Sequence, residues 1–478
     1  MVFNMLVRIA ILLQLAFAAI SLPGFADSSG TLNIAVETDI RSTNPGVKRD
    51  RTTDVILHHV VESLVAYRKD LSVAPMLAET ITQSEDGRRY SFSLRQGVRF
   101  HNGELLTADH VKWSWDRMLN PETGWRCRRW YDGTGTNSVK IVSIKVLASH
   151  EIEFLLEKPS ASFLHRMANL QCITAVLHPS SVGEHGEWLK PVGTGPYMVK
   201  DWRRGEYILL QKFGSYTPAQ QPPDGLSGFK KAHLNFIKFT IIPDASVAKA
   251  ALAAGDVDIV MQIPMTVYPE MKDKEGVKVW VQPVLDWNTL LLQTEDPLLA
   301  DVRIRKAIAH SIDREALAKY ATYGISGANS SVVPTLSPFY SKQHAAWYSY
   351  DLKKAKALLR EAGYKNELLT IQTNKKAVHL YDSAIIMHAM LRRVGFNVEL
   401  EVIDWATQLQ NYLTGNFQLS AFDYSARTEP FMNYQVITGT KVQNPAMQWG
   451  SVEAITLLDT SEHLFDAEKR QGHFERMH

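Results

Sequence analysis

Over residues 31–415 the chain alternates short apolar runs with segments of helical spacing, and no feature restricts its fold more. TLNIAVETD (from Thr31), RRYSFSLRQG, VKIVSIKVLA, EIEFLLE, EYILLQKF, NFIKFTII, VDIVMQ and VKVWVQP read as strands. They are short, rich in β-branched and aromatic residues, and in one of them Tyr90, Phe92 and Leu94 alternate with polar partners. SVAKAALAAG, DVRIRKAIAHSIDREALAKY, DLKKAKALLREAGY, SAIIMHAMLRRVG and DWATQLQNYLTG carry apolar residues at helical spacing. TTDVILHHVVESLVAY reads as a helix capped by Thr52, Thr53 or Asp54, and TADHVKWSWDRML as one capped by Thr107 or Asp109 that closes at Asn120-Pro121. TIQTN and FNVELEVI flank the SAIIMHAMLRRVG helix as a βαβ unit. Strands that alternate with helices in this way build α/β lobes on mixed sheets. No repeat of fixed period interrupts the pattern, and residues 220–225 (QQPPDG) are a pure loop.

The 478 residues suffice for two or three domains. Their composition, 45% hydrophobic and 21% charged, is that of a globular chain and excludes disorder, collagen and coiled coil. With 52 basic against 50 acidic residues the net charge is +2, so no global footprint for nucleic acid exists. Two cysteines exclude a four-thiolate zinc site.

Residues 1–26 read as an address. Arg8 precedes an apolar run over residues 9–20 broken only by Gln14, and Pro23-Gly24 then interrupts it. Gly24 and Ala26 put small residues at −3 and −1 of a cut before Asp27. That is a secretory signal peptide, and its apolar run is shorter than the ~20 residues of a membrane span. No cysteine follows the run, which excludes a lipid-modified N-terminus. The mature chain is therefore expected in the periplasm, free in solution rather than inserted in the membrane. In that oxidising compartment Cys127 and Cys172 are expected to pair. Closing a loop of their separation contributes roughly 3–4 kcal/mol in the chain-entropy model.

Catalytic signatures are thin. Ser246-Val-Ala-Lys249 fits the S-x-x-K motif of exported acyl-transferring hydrolases, which makes a serine hydrolase of peptides or cell-wall material the alternative function. Its companions S-D-N and K-T-G do not occur, nor do G-x-S-x-G, H-E-x-x-H or a Walker loop. A position beside a helix cap accounts for Ser246. His58 and His59 are adjacent, face different ways on a helix and form no metal pair. No catalytic residue, cofactor or metal site is expected. Binding residues are better represented. Arg126, Arg128 and Arg129 are interleaved with Trp125, Trp130 and Tyr131, and Trp287, Trp405, Tyr424 and Arg427 form a second set. Arginine beside aromatic rings holds an anionic or planar ligand by bidentate hydrogen bonds and stacking, although such arginines also coat surface loops.

Four blocks carry a family resemblance. They are LRQGVRFHNG within residues 91–121, the Gly-Thr-Gly-Pro-Tyr signature at residues 193–197 with the Gly205-Glu206 turn, DPLLADVRIRKAIAHSIDREAL from Asp296, and YDLKKAKALLREAGY. In this order they resemble the extracytoplasmic solute-binding proteins of peptide and nickel ABC importers, bacterial solute-binding family 5, over nearly the whole mature chain. The resemblance implies a two-lobe periplasmic-binding-protein fold with mixed sheets (type II, cluster C-like) and an inserted extra subdomain. Lobe I is expected at 27–66 and 191–282, the insertion at 67–190 and lobe II at 283–465. It implies a monomer that closes on a peptide-like or other small organic ligand and docks on the transmembrane subunits of an ABC permease. The ligand-binding residues expected from the aromatic sets and the resemblance together are Trp125, Arg128, Trp130, Trp287, Tyr424, Arg427 and Glu429.

Two departures from the family pattern stand out. In its peptide binders an Asp three residues before an acidic-Pro pair anchors the ligand's α-amino group. Here the pair is Glu429-Pro430, the residue three before it is Ala426, and Asp423 lies three further back. With Arg427 beside that position, burying a cationic amine is costly, and a ligand with an acidic or neutral group is expected there. The second departure is the end of the chain, FDAEKRQGHFERMH, which stops in mid-helix by its pattern. Residues 466–478 are expected to begin a return to lobe I, the sequence being either a fragment or a truncated gene.

Overall fold

The computed structural model describes residues 30–478 apart from Thr136, Pro283, Ala377 and Ala426, so the expected leader lies outside the described residues. Three sheets of four or five strands organise the chain. In the first, Thr31–Val36 runs parallel to both Phe236–Ile241 and Ile259–Val260, and the hairpin of Tyr197–Arg203 and Tyr207–Lys212 extends it antiparallel. Its core is Ile34, Val36, Ile56, Val60, Leu210 and Phe239. The second is antiparallel, in the order Ala78–Gln83, Arg89–Leu94, Glu151–Leu156, Ile141–Ala148. Tyr90, Phe92 and Leu94 all turn inward there, as their period of two requires, against Phe154 and Trp115 of the helix Ala108–Leu119. The third is mixed, in the order Trp287–Leu292, Leu419–Tyr424, Leu368–Thr373, Asn397–Val402. The helix Val378–Val394 joins its two parallel neighbours as the expected βαβ unit. We take the three sheets as the frames of the first lobe, an inserted subdomain and the second lobe.

Cys127 and Cys172 are both buried and bonded, with Cα atoms 5.8 Å apart, inside the core of the antiparallel sheet. Among the described residues no helix is long and apolar enough to cross a membrane.

Three segments depart from expectation. The helix expected over residues 52–67 covers only Arg51–Leu57, and its cap is Asp50, which accepts the Thr53 amide. The backbone beyond Leu57 has other partners: the His59 carbonyl accepts the Tyr197 amide at 3.1 Å and the Val60 carbonyl accepts the Gly195 amide at 3.0 Å. That close approach explains two glycines of the Gly-Thr-Gly-Pro-Tyr signature. A Cβ on Gly195 would lie 2.6 Å from the His59 carbonyl oxygen, and one on Gly193 would strike that of Val60. Of the expected strand VKVWVQP, residues 277–282 pair with no neighbouring strand among the described residues, and Trp280 and Val281 stay exposed. The helix expected from DVRIRKAIAHSIDREALAKY is two, Val302–Ser311 and Arg314–Ala321, because Asp313 accepts the Ala316 amide and caps a fresh start.

The helices Val452–Glu462 and Ala467–Met477 close one side of the molecule. Phe474 and Met477 pack with Val333, Phe431 and Tyr434, and Trp130 leans on the same cluster. Beneath it lies a buried charge network. Arg470 donates to Glu429 at 2.6 Å, while Glu462 accepts the hydroxyls of Ser160 and Ser162, each at 2.6 Å, with Arg166 at 3.8 Å.

Candidate ligand-binding site

The site is assembled from the ends of secondary elements, and Tyr424 and Asp54 within it are buried. Arg49 and Arg51 bracket the N-terminus of the helix Arg51–Leu57. Arg126 sits on the disulfide-anchored loop, its amide bonded to the Gly46 carbonyl at 3.2 Å. Asp286 and Trp287 open one edge strand of the third sheet, and Asp423 and Tyr424 end the strand beside it. In register, Trp287 faces Tyr424, and the two rings stack at 4.3 Å and 16°. Arg427 follows on the loop, its guanidinium 6.0 Å from the Trp130 ring centroid.

Charge links these groups across the lobes. Arg51 donates to Asp286 at 2.5 Å, and Arg49 pairs with Asp54. Burial first, then the fields of Arg126 and Arg49 against that of Asp286, lower the Arg427 pKa to about 10, which leaves it cationic at neutral pH. Burial raises Asp54 to about 6 in spite of Arg49 beside it. Burial, with Asp286 nearby, raises Asp423 to about 7, and its Oδ1 has no hydrogen-bond partner among the described residues. Four arginines thus share the region with four carboxylates, Asp50, Asp54, Asp286 and Asp423, of which Asp54 and Asp423 are displaced towards the neutral form.

Of the residues expected to bind, Trp130, Trp287, Tyr424 and Arg427 come together here. Trp125 does not join them: it is buried in the subdomain core, stacked on Tyr131 at 5.6 Å and wedged over Gly46. Arg128 pairs with Asp132 one helical turn away. Glu429 is fully buried and faces Arg470. Trp405 packs under Phe422, and Ala426 lies outside the described residues. Arg49, Arg51, Asp54 and Asp286 were not anticipated. The charged run KRDRTTD, which leads into the first turn of that helix, was the available signal for three of them. As for the hydrolase alternative, Ser246 is exposed next to its cap Asp244, and the Lys249 ammonium is held by Glu270 at 2.9 and 3.1 Å. That lysine is not placed as a base for the serine. A separate cavity of about 610 Å³ in the second lobe is lined by Gln372, Glu401, Asn411 and Gln418, which already bond one another or near neighbours.

Residues 72–444 match the model of the bacterial extracellular solute-binding proteins, family 5. The chain belongs to that family. Among family 5 relatives, the oligopeptide-binding protein AppA of Bacillus subtilis is 24% identical over 457 residues, covering 90% of this chain and 80% of AppA. The glutathione-binding protein GsiB of Salmonella typhi is 26% identical over 339 residues, 70% of this chain and 62% of that protein. The solved structure of NikA from Brucella suis in complex with Fe(III)-EDTA superposes with a TM-score of 0.78 at 22% identity, over 94% of this chain and 90% of that one. This family 5 member is thus a two-lobe binding protein, and what it does is bind a solute.

Proposed function

We propose that the chain captures a peptide-like or other small organic solute carrying a carboxylate, between its two lobes in the periplasm. It delivers that solute, as a monomer, to the transmembrane subunits of an ABC importer. The observation that carries this reading is the charge balance between the lobes. Arg49, Arg51, Arg126 and Arg427 stand against Asp50, Asp54, Asp286 and Asp423, of which Asp423, raised to about 7, carries only part of its charge at neutral pH. An anionic group bound there gains charge-assisted hydrogen bonds from arginine and screens the repulsion among the cations. Trp287, stacked on the buried Tyr424 ring, offers part-exposed apolar surface beside it. Closure around a ligand follows when contacts from both lobes form only in the closed state.

The test is a thermal-shift screen of the mature protein against dipeptides, opines, amino-acid derivatives and oligosaccharides. A true ligand at a hundred times its Kd stabilises by about 2.7 kcal/mol. Arg427→Ala should weaken the ligand found by roughly 10- to 100-fold, the value of a charged hydrogen-bonding partner. A folded protein with no hit counts against solute capture, and unchanged affinity in the variant counts against this site.

A further inference from the structure

Two helices of the second lobe carry more positive charge than their own stability explains. Val302–Ser311 and Leu352–Ala362 pack against each other and run antiparallel. Arg303 Nη1 donates to the Glu361 carbonyl at 2.6 Å at one end, and the Asp351 amide donates to the His310 carbonyl at 2.9 Å at the other. Residues 301–312 and 351–362 hold seven Lys and Arg against three carboxylates, in a chain whose totals are 52 and 50. Of those carboxylates, Asp301 pairs with Arg303 and Asp351 caps the Lys353 and Lys354 amides. Lys353, Lys354, Lys356 and Arg360 are exposed, and none has an ion pair among the described residues. We propose that this face of the second lobe docks on a bilayer surface that contains anionic phospholipid.

The spacing within Leu352–Ala362 sorts its charges. Ala355 and Leu359 are buried, and Leu352, Leu358 and Ala362 lean on the same core. Lys353, Lys356 and Arg360, spaced i, i+3 and i+7, line up along one flank of the solvent side, while Lys354 and Glu361 fall on the other. The stripe works against the helix that carries it. Lys356 and Arg360 are like charges one turn apart, and Lys353 and Lys354 stand at the positive end of the helix dipole, where carboxylates are favoured. An anionic surface relieves both repulsions at once. The stripe spans about 10 Å along the axis, so its three charges meet a flat surface together. Lipid suits this face better than protein does. No large hydrophobic side chain of Leu352–Ala362 is exposed, and on Val302–Ser311 only Val302 is, so the anchors of a protein interface are missing. Lysine is a hydrated point charge on a flexible stem, which matches headgroups that move to meet it. Clustered Lys and Arg are drawn to anionic lipid without insertion, and the attraction acts within about 10 Å at 0.1 M salt.

The experiment sediments the mature protein with large vesicles of phosphatidylcholine, alone or with about one-third phosphatidylglycerol, at about 0.05 M NaCl. Binding is expected only where phosphatidylglycerol is present, and should vanish at about 0.5 M NaCl. Lys353→Gln/Lys356→Gln/Arg360→Gln keeps good helix formers at exposed positions, so its Tm should hold while binding weakens by about tenfold or more. Lys200→Gln/Lys212→Gln/Lys231→Gln removes the same charge from exposed positions of the first lobe and should bind as the wild type does. No binding to the phosphatidylglycerol vesicles, or equal loss in the two variants, overturns the proposal. Sedimentation only with membranes that hold the importer also overturns it, and would put a protein on this face instead.

Discussion

Arg470→Met tests whether the buried charge network holds the C-terminal helices in place. In the wild type Arg470 Nη2 donates to Glu429 at 2.6 Å and its Nε donates to the Ser461 carbonyl at 3.0 Å. Glu429 has no exposed surface, and its second oxygen already lacks a partner among the described residues. Methionine follows the path of the arginine stem but ends short of the guanidinium that lies over the Phe339 and Phe474 rings, so a modest packing loss adds to the electrostatic one. What remains is a carboxylate buried without its cation, near a second buried carboxylate, Glu462. Stranding one member of a buried pair costs about 3–5 kcal/mol, whereas replacing both is often close to neutral. Urea unfolding followed by tryptophan fluorescence should show that loss in Arg470→Met, and the double variant Glu429→Gln/Arg470→Met should recover about half of it or more. A single variant that loses less than 1 kcal/mol, or a double variant no more stable than the single, would refute the reasoning.

Two further outcomes are expected. Gly195→Ala would place a methyl 2.6 Å from the His59 carbonyl, a backbone atom that cannot move alone, and should destabilise by about 2 kcal/mol or more in the same assay. Asp423, held at about 7 against 3.8 when unfolded, binds its proton more tightly in the folded state. Its contribution to stability is therefore complete below pH ~4 and lost as the pH rises through 7, so the wild type should gain on Asp423→Asn as the pH falls from 8 to 5; parallel pH curves would contradict this.

Much of the fold was legible because period carries it. Tyr90, Phe92 and Leu94 could face one way only as a strand, and the βαβ unit around residues 378–394 announced itself by the change from period two to helical spacing. The misreadings fell where tertiary partners override local pattern. Residues 58–67 have helical spacing, but the His59 and Val60 carbonyls are taken by Tyr197 and Gly195, far along the chain. VKVWVQP has strand composition, and its residues 277–282 have no strand beside them among the described residues. The site was legible only in its aromatic half. Trp287, Tyr424 and Arg427 cluster at strand ends, whereas Arg51 and Asp286 are single charges whose meeting depends on how two lobes sit together, and no period encodes that.

The Arg51–Asp286 contact bears on how an empty binding protein idles beside its permease. It bridges the lobes between an arginine side chain 56% exposed and an aspartate side chain 15% exposed, and a half-exposed pair of that kind contributes about 1 kcal/mol. By itself it shifts the ratio of shut to gaping molecules no more than about fivefold, and less in high salt. A latch that weak cannot impersonate a cargo. Ligand occupancy, rather than the latch, then decides which molecules are closed.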